Sequence, residues 1–400
     1  MDMIFPARKV SIVIKSFLFS AYLIFLLHIA IDVRFLLLNI TTGLIVLFYI
    51  AANDSRRLFL NRFLILYLII YFNIFLSFAF GINVRDMIFI FQLLCLYIVF
   101  YYYPLSDDGF LSFINVSYSI YLFFSLLVYY GEINPFSYGT EGTTNWFDLT
   151  NNVYYNYFVS KIGNMFFFLH DKTFVGADGS TSSIDSFSAL VIVSNSLISK
   201  KKITKYIFVL IPFIILVSTF RLTPVVGIFA GLTFLIIPNK FKSIYSKLII
   251  VFASTFWLLP YIFRDNHLVL FTLNSFTHSR ASIWINYIDE ILKSPVQNIL
   301  FGMRGEIPFI QMGSLTFSQP HSSYLRMFLS FGGIMYLAFT SFLFYLSKRL
   351  KYNHRLGAVF ITILVLAIVN NDILYNRNIV YIITVFFLFS RIENRKYIPI

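Results

Sequence analysis

Long apolar runs alternate with short polar connections along most of the chain. Each run is long enough for a helix to cross a bilayer core of roughly 30 Å, and a helix satisfies its own backbone hydrogen bonds in lipid. The pattern therefore predicts an all-α polytopic membrane protein with about twelve transmembrane helices. The predicted spans lie near residues 11–31, 35–51, 63–81, 87–103, 111–130, 184–199, 206–220, 222–237, 248–263, 324–346, 356–371 and 378–390.

The composition excludes a soluble domain. The 400-residue chain is 58% hydrophobic and only 12% charged, whereas soluble domains carry about a quarter charged residues. Aromatic residues make up 20% of the chain, and many lie at the ends of apolar runs, as interfacial belts require. The one cysteine, Cys95, lies within a predicted span, so disulfides and cysteine metal sites are excluded.

The net charge of +13 could indicate a nucleic-acid-binding protein, but the positions of the basic residues indicate an orientation in a membrane. With the N-terminus placed in the cytoplasm, most Lys and Arg residues fall in short cytoplasmic connections, such as Lys200 to Lys202. This is the distribution that the positive-inside rule describes. Both termini are therefore predicted to be cytoplasmic, and no nucleic-acid partner is expected.

Two connections are long, and both are predicted to lie on the extracytoplasmic side of a single transmembrane domain, 1–400. They cover residues 131–183 and 264–323, and long ordered loops are usually functional. Part of the second loop has apolar positions at helical spacing, which predicts an amphipathic helix. This helix either lies on the membrane or packs across the mouth of the bundle. Its apolar positions are Trp284, Tyr287, Ile288, Ile291 and Leu292.

Three arginines are candidate anion ligands because a guanidinium can donate two parallel hydrogen bonds to a phosphate. Arg221 lies between two spans on the outer side, where it either binds an anion or snorkels to the interface. Arg280 precedes Trp284 by one helical turn, so the pair forms a sugar or phosphate site or only a cation–π contact. Arg304 is either a third ligand or a solvated loop arginine.

Glycines and polar residues near the loop ends supply further candidates. Gly302 and Gly305 flank Arg304 and permit close backbone approach to a ligand. His321 precedes the tenth span, and its imidazole is either a proton-transfer group or a structural hydrogen-bonding group. Ser322 or Ser323 is the expected helix cap. The remaining candidates are Asp178 and Ser180. They either bind an anion or act as ordinary helix caps before the sixth span.

Taken in order, these segments resemble bacterial O-antigen polymerases and the related O-antigen ligases. The resemblance covers the predicted topology, and its motifs match roughly residues 215–335. Phe220 stands where the family has a serine before the arginine, and the turn from Gly302 to Gly305 is one residue longer than usual. The matching segments are the one around Arg221, RASIW from Arg280, SPVQNILFGMRGE with Gly302, and HSSYLRMFLSFGG from His321.

The resemblance implies a metal-independent glycosyltransferase without a cofactor in the bacterial inner membrane, with its active site facing the periplasm. A growing glycan on undecaprenyl diphosphate is the donor, and one lipid-linked repeat unit is the acceptor. Arg221 and Arg280 hold the diphosphate with help from Arg304, Arg280 also contributes to catalysis, and His321 is the base or orients the acceptor. Trp284, Ser180, Asp178 and Ser322 are secondary candidates. Membrane lipids, a chain-length regulator and a flippase are the expected partners.

Other functions fit part of the pattern. A ligase would use the same residues to transfer the finished glycan to lipid A–core. A flippase or another transporter commonly has carboxylates in the middle of its spans, but Asp86, Asp185 and Asp372 are predicted at span edges. The pair Asp289 and Glu290 is the nearest alternative metal ligand in the second loop, although its helical setting is typical of solvated charge.

Overall fold

A computed structural model gives the structure of the chain. It describes residues 106–131, 181–219, 222–277, 280–303, 307–312, 315–317, 320–350 and 353–369, together with residues 381, 384, 385, 387, 388 and 391. The predicted spans before residue 106 and the body of the first long loop, 132–180, lie outside the described residues. Most of the twelfth predicted span does as well.

The described residues are helical apart from one small hairpin. The helices are α1 (Asp107–Gly131), α2 (Thr181–Ile198), α3 (Lys202–Thr219), α4 (Leu222–Ile236), α5 (Asn239–Thr255), α6 (Leu259–Ile262), α7 (His267–Thr277), α8 (Arg280–Lys293), α9 (Val296–Phe301), α10 (Ser323–Leu350) and α11 (His354–Leu366). A 3₁₀ turn, Phe256–Leu258, joins α5 to α6. The strands β1 (Ile310–Met312) and β2 (Leu315–Phe317) pair antiparallel.

The helices α1 to α6, α10 and α11 cover the seven predicted spans between residues 111 and 371, so the all-α prediction is confirmed there. By length and composition, two helical stretches within the described part of the chain could cross a membrane: Asn239–Ile262 and Ser323–Leu350. Three shorter apolar helices are Ile184–Ile198, Leu222–Ile236 and His354–Leu366. The ninth span was predicted to begin at residue 248, whereas the helix α5 begins at Asn239. The first turns of α5 contain lysines, so a search for apolar runs does not include them.

Helix α11 is the centre of the described bundle. Every residue from Leu356 to Leu366 is buried, and α11 packs chiefly against α4 and also against α2. A helix that is apolar all round belongs in the interior of a bundle. At the C-terminal end of α11, the Ser323 N–H donates to the Ala367 carbonyl at 3.1 Å, and the Tyr324 hydroxyl donates to the Leu364 carbonyl at 3.1 Å. These bonds attach the start of α10 to the end of α11.

Polar side chains join α1 to α2. Asn115 and Asn195 exchange two side-chain hydrogen bonds of 3.0 and 2.7 Å, and the hydroxyls of Tyr118 and Ser188 lie 2.9 Å apart. Buried polar groups are costly unless they are paired, and side-chain hydrogen bonds hold helices together in an apolar surrounding. This pairing fixes the register of α1 against α2.

Two glycines form a close backbone crossing between α9 and α10. Gly332 interrupts α10 with φ +76° and ψ +176°, and Gly302 ends α9 with φ +85°. A Cβ at Gly302 would overlap the Ser330 carbonyl, and a Cβ at Gly332 would overlap the Leu300 carbonyl. The Met303 N–H donates to the Leu329 carbonyl at 2.6 Å. The second loop is therefore fixed to α10 at a point where only glycine fits on both sides.

This crossing predicts a difference between two adjacent glycines. Gly332→Ala forces a positive φ and a backbone overlap, so we expect it to lower stability by at least about 1–3 kcal/mol. Gly333→Ala is the matched control, because its Cβ would meet the Ile299 carbonyl at an acceptable 3.4 Å. Thermal unfolding of the two purified variants in detergent measures the difference. Equal midpoints for Gly332→Ala and Gly333→Ala would contradict the close crossing.

Candidate functional site

The described residues of the second long loop form helices and a hairpin that precede α10. The loop contains α7, α8, α9 and the hairpin. Helix α8 confirms the predicted amphipathic helix, and its buried face packs on the protein: the Trp284 ring meets the Phe256 ring edge-on at 6.1 Å. Leu292 was wrongly assigned to this face, because its side chain is 60% exposed. The buried positions are Ala281, Ile283, Trp284, Tyr287, Ile288 and Ile291.

The start of α8 is held by the end of α7, and this fixes the backbone of Arg280. The Thr277 hydroxyl accepts a hydrogen bond from the Ala281 N–H at 3.0 Å. The Asn274 side chain accepts from the Ser282 N–H at 3.1 Å and donates to the Ser282 hydroxyl at 2.9 Å. Side-chain oxygens commonly satisfy the first N–H groups of a helix in this way. Arg280 is thus the first residue of a rigidly attached helix.

Two side chains of α8 hold the segment between β2 and α10. The Trp284 indole N–H donates to the Pro320 carbonyl at 2.6 Å, and the Tyr287 hydroxyl donates to the Phe317 carbonyl at 3.2 Å. Phe317 is therefore attached at Tyr287, and Pro320 is attached one helical turn nearer the start of α8, at Trp284. His321 follows Pro320 directly in the chain.

His321 forms the turn that leads into α10. It is the non-glycine residue with positive φ, +54°, within the described residues, and such backbone conformations are concentrated at functional sites. Its imidazole meets the Phe317 ring edge-on at 6.5 Å. Ser322, which is buried, accepts a hydrogen bond from the Leu325 N–H at 3.4 Å. Ser322 is therefore the helix cap, one of the two residues expected in that role.

A further arginine belongs to this region and was not singled out from the sequence. Arg326 lies in the first turns of α10, five residues after His321, and its Nε atom is buried. Burial raises the pKa of the Tyr287 hydroxyl, whereas the positive charge of Arg326 acts in the opposite direction. The guanidinium thus lies within electrostatic range of Tyr287. The sequence does contain a signal that could have identified Arg326, because an arginine at the start of an apolar helix is unusual.

A hydrogen bond connects parts of the predicted site. The Trp284 indole on α8 donates to the carbonyl of Pro320, which directly precedes His321 and Ser322 in the chain, and Arg280 begins the same helix. Gly302 ends α9 and lies against Ser330 of α10, whose carbonyl occupies the space that a side chain would need. Packing of the chain by itself therefore accounts for a glycine at this position. Five predicted site residues lie outside the described part of the chain: Arg221, Arg304, Gly305, Asp178 and Ser180.

The acidic pair on α8 is engaged by cations. Asp289 lies 3.8 Å from the Arg264 guanidinium, and Glu290 lies 2.9 Å from the Lys293 ammonium. Both pairs are partly exposed, which agrees with the solvated charge expected from the sequence. Within the described ranges, no group of three His, Cys, Asp or Glu side chains could hold a metal ion.

The arrangement combines cations, an imidazole and aromatic rings on a rigid support. Arginines can stabilise a developing phosphate charge, and an imidazole can take or give a proton near neutral pH. The chain matches no family model, no curated protein and no solved structure. Its chemistry is therefore inferred from these residues and their geometry.

We expect Trp284→Phe to loosen the segment that carries His321. The substitution retains an aromatic ring but leaves the buried Pro320 carbonyl without its donor, at a cost of about 1–3 kcal/mol. Thermal unfolding and limited proteolysis between residues 307 and 322 measure the change.

Trp257→Phe is the control for this substitution. Trp257 donates to the Tyr336 hydroxyl at 3.3 Å, and that hydroxyl still donates to the Ser254 carbonyl after the change. Trp257→Phe should leave the protease sensitivity of the loop as in the wild type. Equal cleavage of Trp284→Phe and the wild type would contradict the anchoring role.

Proposed function

We propose that this chain is a membrane glycosyltransferase that acts on sugars carried by a polyprenyl diphosphate. More particularly, we propose an O-antigen polymerase that joins undecaprenyl-diphosphate-linked repeat units at the periplasmic face of a bacterial inner membrane. The observation that carries the proposal is the attachment of α8, which begins at Arg280, to the carbonyls of Phe317 and Pro320, the latter directly before His321 in the chain.

The proposed reaction needs two kinds of group. The acceptor hydroxyl attacks the anomeric carbon of the donor glycan, and the bond from that carbon to the lipid diphosphate breaks. Arg280 stabilises the charge that the diphosphate leaving group gains, and the His321 imidazole accepts the hydroxyl proton or orients the acceptor. Trp284, whose ring is fully buried, holds the Pro320 carbonyl directly before His321. Arg221 and Arg304 remain proposed ligands of the same diphosphate.

Contacts between distant segments support the proposed twelve-span topology with cytoplasmic termini. Asp107 at the start of α1 and Arg391 near the chain end form a 2.6 Å ion pair, and both positions fall on the proposed cytoplasmic side. The lysine and arginine at the end of α10, Lys348 and Arg349, fall on that side too, at the opposite end of α10 from His321.

The outer surface of α3 also supports a membrane setting. Its large exposed side chains are apolar, and contiguous apolar surface is typical of contact with lipid or a partner. The exposed fractions are 78% for Ile203, 69% for Tyr206 and 60% for Leu210. We therefore propose that α3 faces lipid.

A transporter is the second candidate, because one carboxylate is deeply buried in the bundle. Asp185 lies in the second turn of α2, near the predicted span edge, and its side chain is 0% exposed. Carboxylates within a membrane bundle are characteristic of ion and proton pathways. The ligase alternative has no separate structural support, because it would use the same residues as the polymerase.

We expect His321→Asn and Arg280→Ala each to abolish long-chain glycan while the protein still inserts. Asparagine tolerates the positive φ at residue 321 but cannot perform the proton transfer, which typically contributes about 10²–10⁴-fold. Polysaccharide gels of complemented deletion strains measure the chain-length ladder, and membrane fractionation measures insertion.

Matched controls are available within the same loop. His267 is exposed at the start of α7, and Lys293 is exposed at the end of α8, so His267→Asn and Lys293→Ala should keep a normal ladder. Wild-type ladders from both His321→Asn and Arg280→Ala would sink the catalytic assignment.

Deleting the gene should distinguish a polymerase from the other two functions. Loss of a polymerase leaves a single repeat unit on lipid A–core, whereas loss of a ligase or a flippase leaves none. Asp185→Asn adds a test of the transporter, which would lose all surface glycan in that variant. A core without any repeat in the deletion strain would contradict the polymerase.

A further inference from the structure

We propose that α9 enters the extracytoplasmic leaflet of the membrane, where its exposed side chains contact lipid acyl chains. The inference rests on the proposed membrane setting of α10 and goes beyond the proposed enzymatic function. It assigns a lipid contact to part of a loop that was predicted only to lie on the extracytoplasmic side. The contacting surface, which we call the α9–α10 surface, consists of Val296 and Leu300 on α9 and of Ile334 and Leu337 on α10.

The depth at which α9 crosses α10 is the first argument. Helix α10 is long and apolar enough to cross a membrane, and Lys348 near its C-terminal end lies on the proposed cytoplasmic side. A span needs about 20 residues, so counting back from Lys348 puts the outer edge of the hydrocarbon core near residue 328. Gly332 lies about four residues further in, or roughly 6 Å at 1.5 Å per residue. A Cβ at Gly332 would overlap the Leu300 carbonyl, so α9 reaches the same depth.

The backbone at the crossing is the second argument. Gly332 interrupts α10 with non-helical dihedral angles, and the end of a helical stretch leaves carbonyl groups of the last turn without a helical donor. At membrane depth, such groups need a donor from the protein itself, because the hydrocarbon core contains no water. The Met303 N–H, directly after Gly302, donates to the Leu329 carbonyl at 2.6 Å. The loop therefore supplies a donor to the turn of α10 that precedes the interruption.

The exposed side chains at the crossing are the third argument. Val296 and Leu300 are exposed on α9, and Ile334 and Leu337 are exposed on α10. Within residues 323–331 of α10, by contrast, no residue is exposed. The exposed apolar side chains of α10 thus begin where α9 crosses it. Apolar surface is unfavourable in water, whereas acyl chains solvate it without that cost.

The chemistry of the surface fits acyl chains. All four side chains are aliphatic, and the next exposed residue of α10, Ser341, donates its hydroxyl to the Leu337 carbonyl at 2.8 Å. This hydroxyl therefore needs no water. The exposed polar residues beside the α9 positions are Lys293 and Gln297. A lysine next to apolar residues is typical of segments at a membrane interface, because its long side chain reaches the headgroups.

Spin labels in lipid nanodiscs that hold one copy of the full chain test the inference. Cys95, the single cysteine, is first replaced by serine, and each variant then carries one introduced cysteine. Leu300→Cys and Val296→Cys are the probes, and Leu337→Cys is the lipid reference. Glu290→Cys is the water reference, because this charged side chain of α8 is 41% exposed. Electron paramagnetic resonance measures the access of oxygen, which concentrates in lipid, and of a water-soluble nickel complex to each label.

We expect the ratio of oxygen access to nickel access at Leu300 to match the ratio at Leu337 and to exceed the ratio at Glu290 severalfold. Val296 should give the same result, and it carries the comparison if Leu300→Cys does not fold. Thermal unfolding of each variant reports folding.

Two results would overturn the inference and leave the membrane setting of α10 intact. The first is a water-like ratio at both α9 positions together with a lipid-like ratio at Leu337. The second is low access of both reagents at both α9 positions, which would mean that protein covers them instead of lipid. A water-like ratio at Leu337 would overturn the proposed membrane setting and the inference with it. The chain-length ladder of the Arg280 and His321 variants decides the enzymatic function independently.

Discussion

Two hydrogen bonds from side chains of α8 to backbone carbonyls determine the form of the candidate site. Trp284 and Tyr287 are both buried, and each directs its polar atom at a carbonyl, of Pro320 and Phe317 respectively. Aromatic side chains with a polar end are suited to this role, because they bury a large ring and still satisfy a partner. Without these bonds, the segment before α10 would have few fixed points, and the position of His321 relative to Arg280 would not be defined.

The same loop has a second attachment, at the crossing of α9 and α10. Gly302 and Gly332 allow two backbones to approach within a distance that excludes any side chain, and a hydrogen bond from Met303 to Leu329 closes the contact at 2.6 Å. The interruption of α10 at Gly332 is thus part of the loop attachment. The described part of the loop is therefore attached to α10 directly as well as through the residues that precede it.

The backbone at the start of α10 is strained. His321 is the non-glycine residue with a positive φ, +54°, within the described part of the chain. Backbone strain of this kind is concentrated where binding or catalysis constrains the sequence. The acidic residues of α8 have cationic partners, as Asp289 has in Arg264.

The sequence by itself determined the helical segments, because apolar runs and their amphipathic faces are local properties of the chain. It predicted seven helices of the described bundle, the helix α8 and the cap before α10. The tertiary structure alone decided that Leu292 is exposed and that Gly332 interrupts α10. Both depend on segments distant in sequence: the elements packed against α8 and the backbone of residues 300–302. A periodic pattern contains no information on which distant backbone or charge will face a residue.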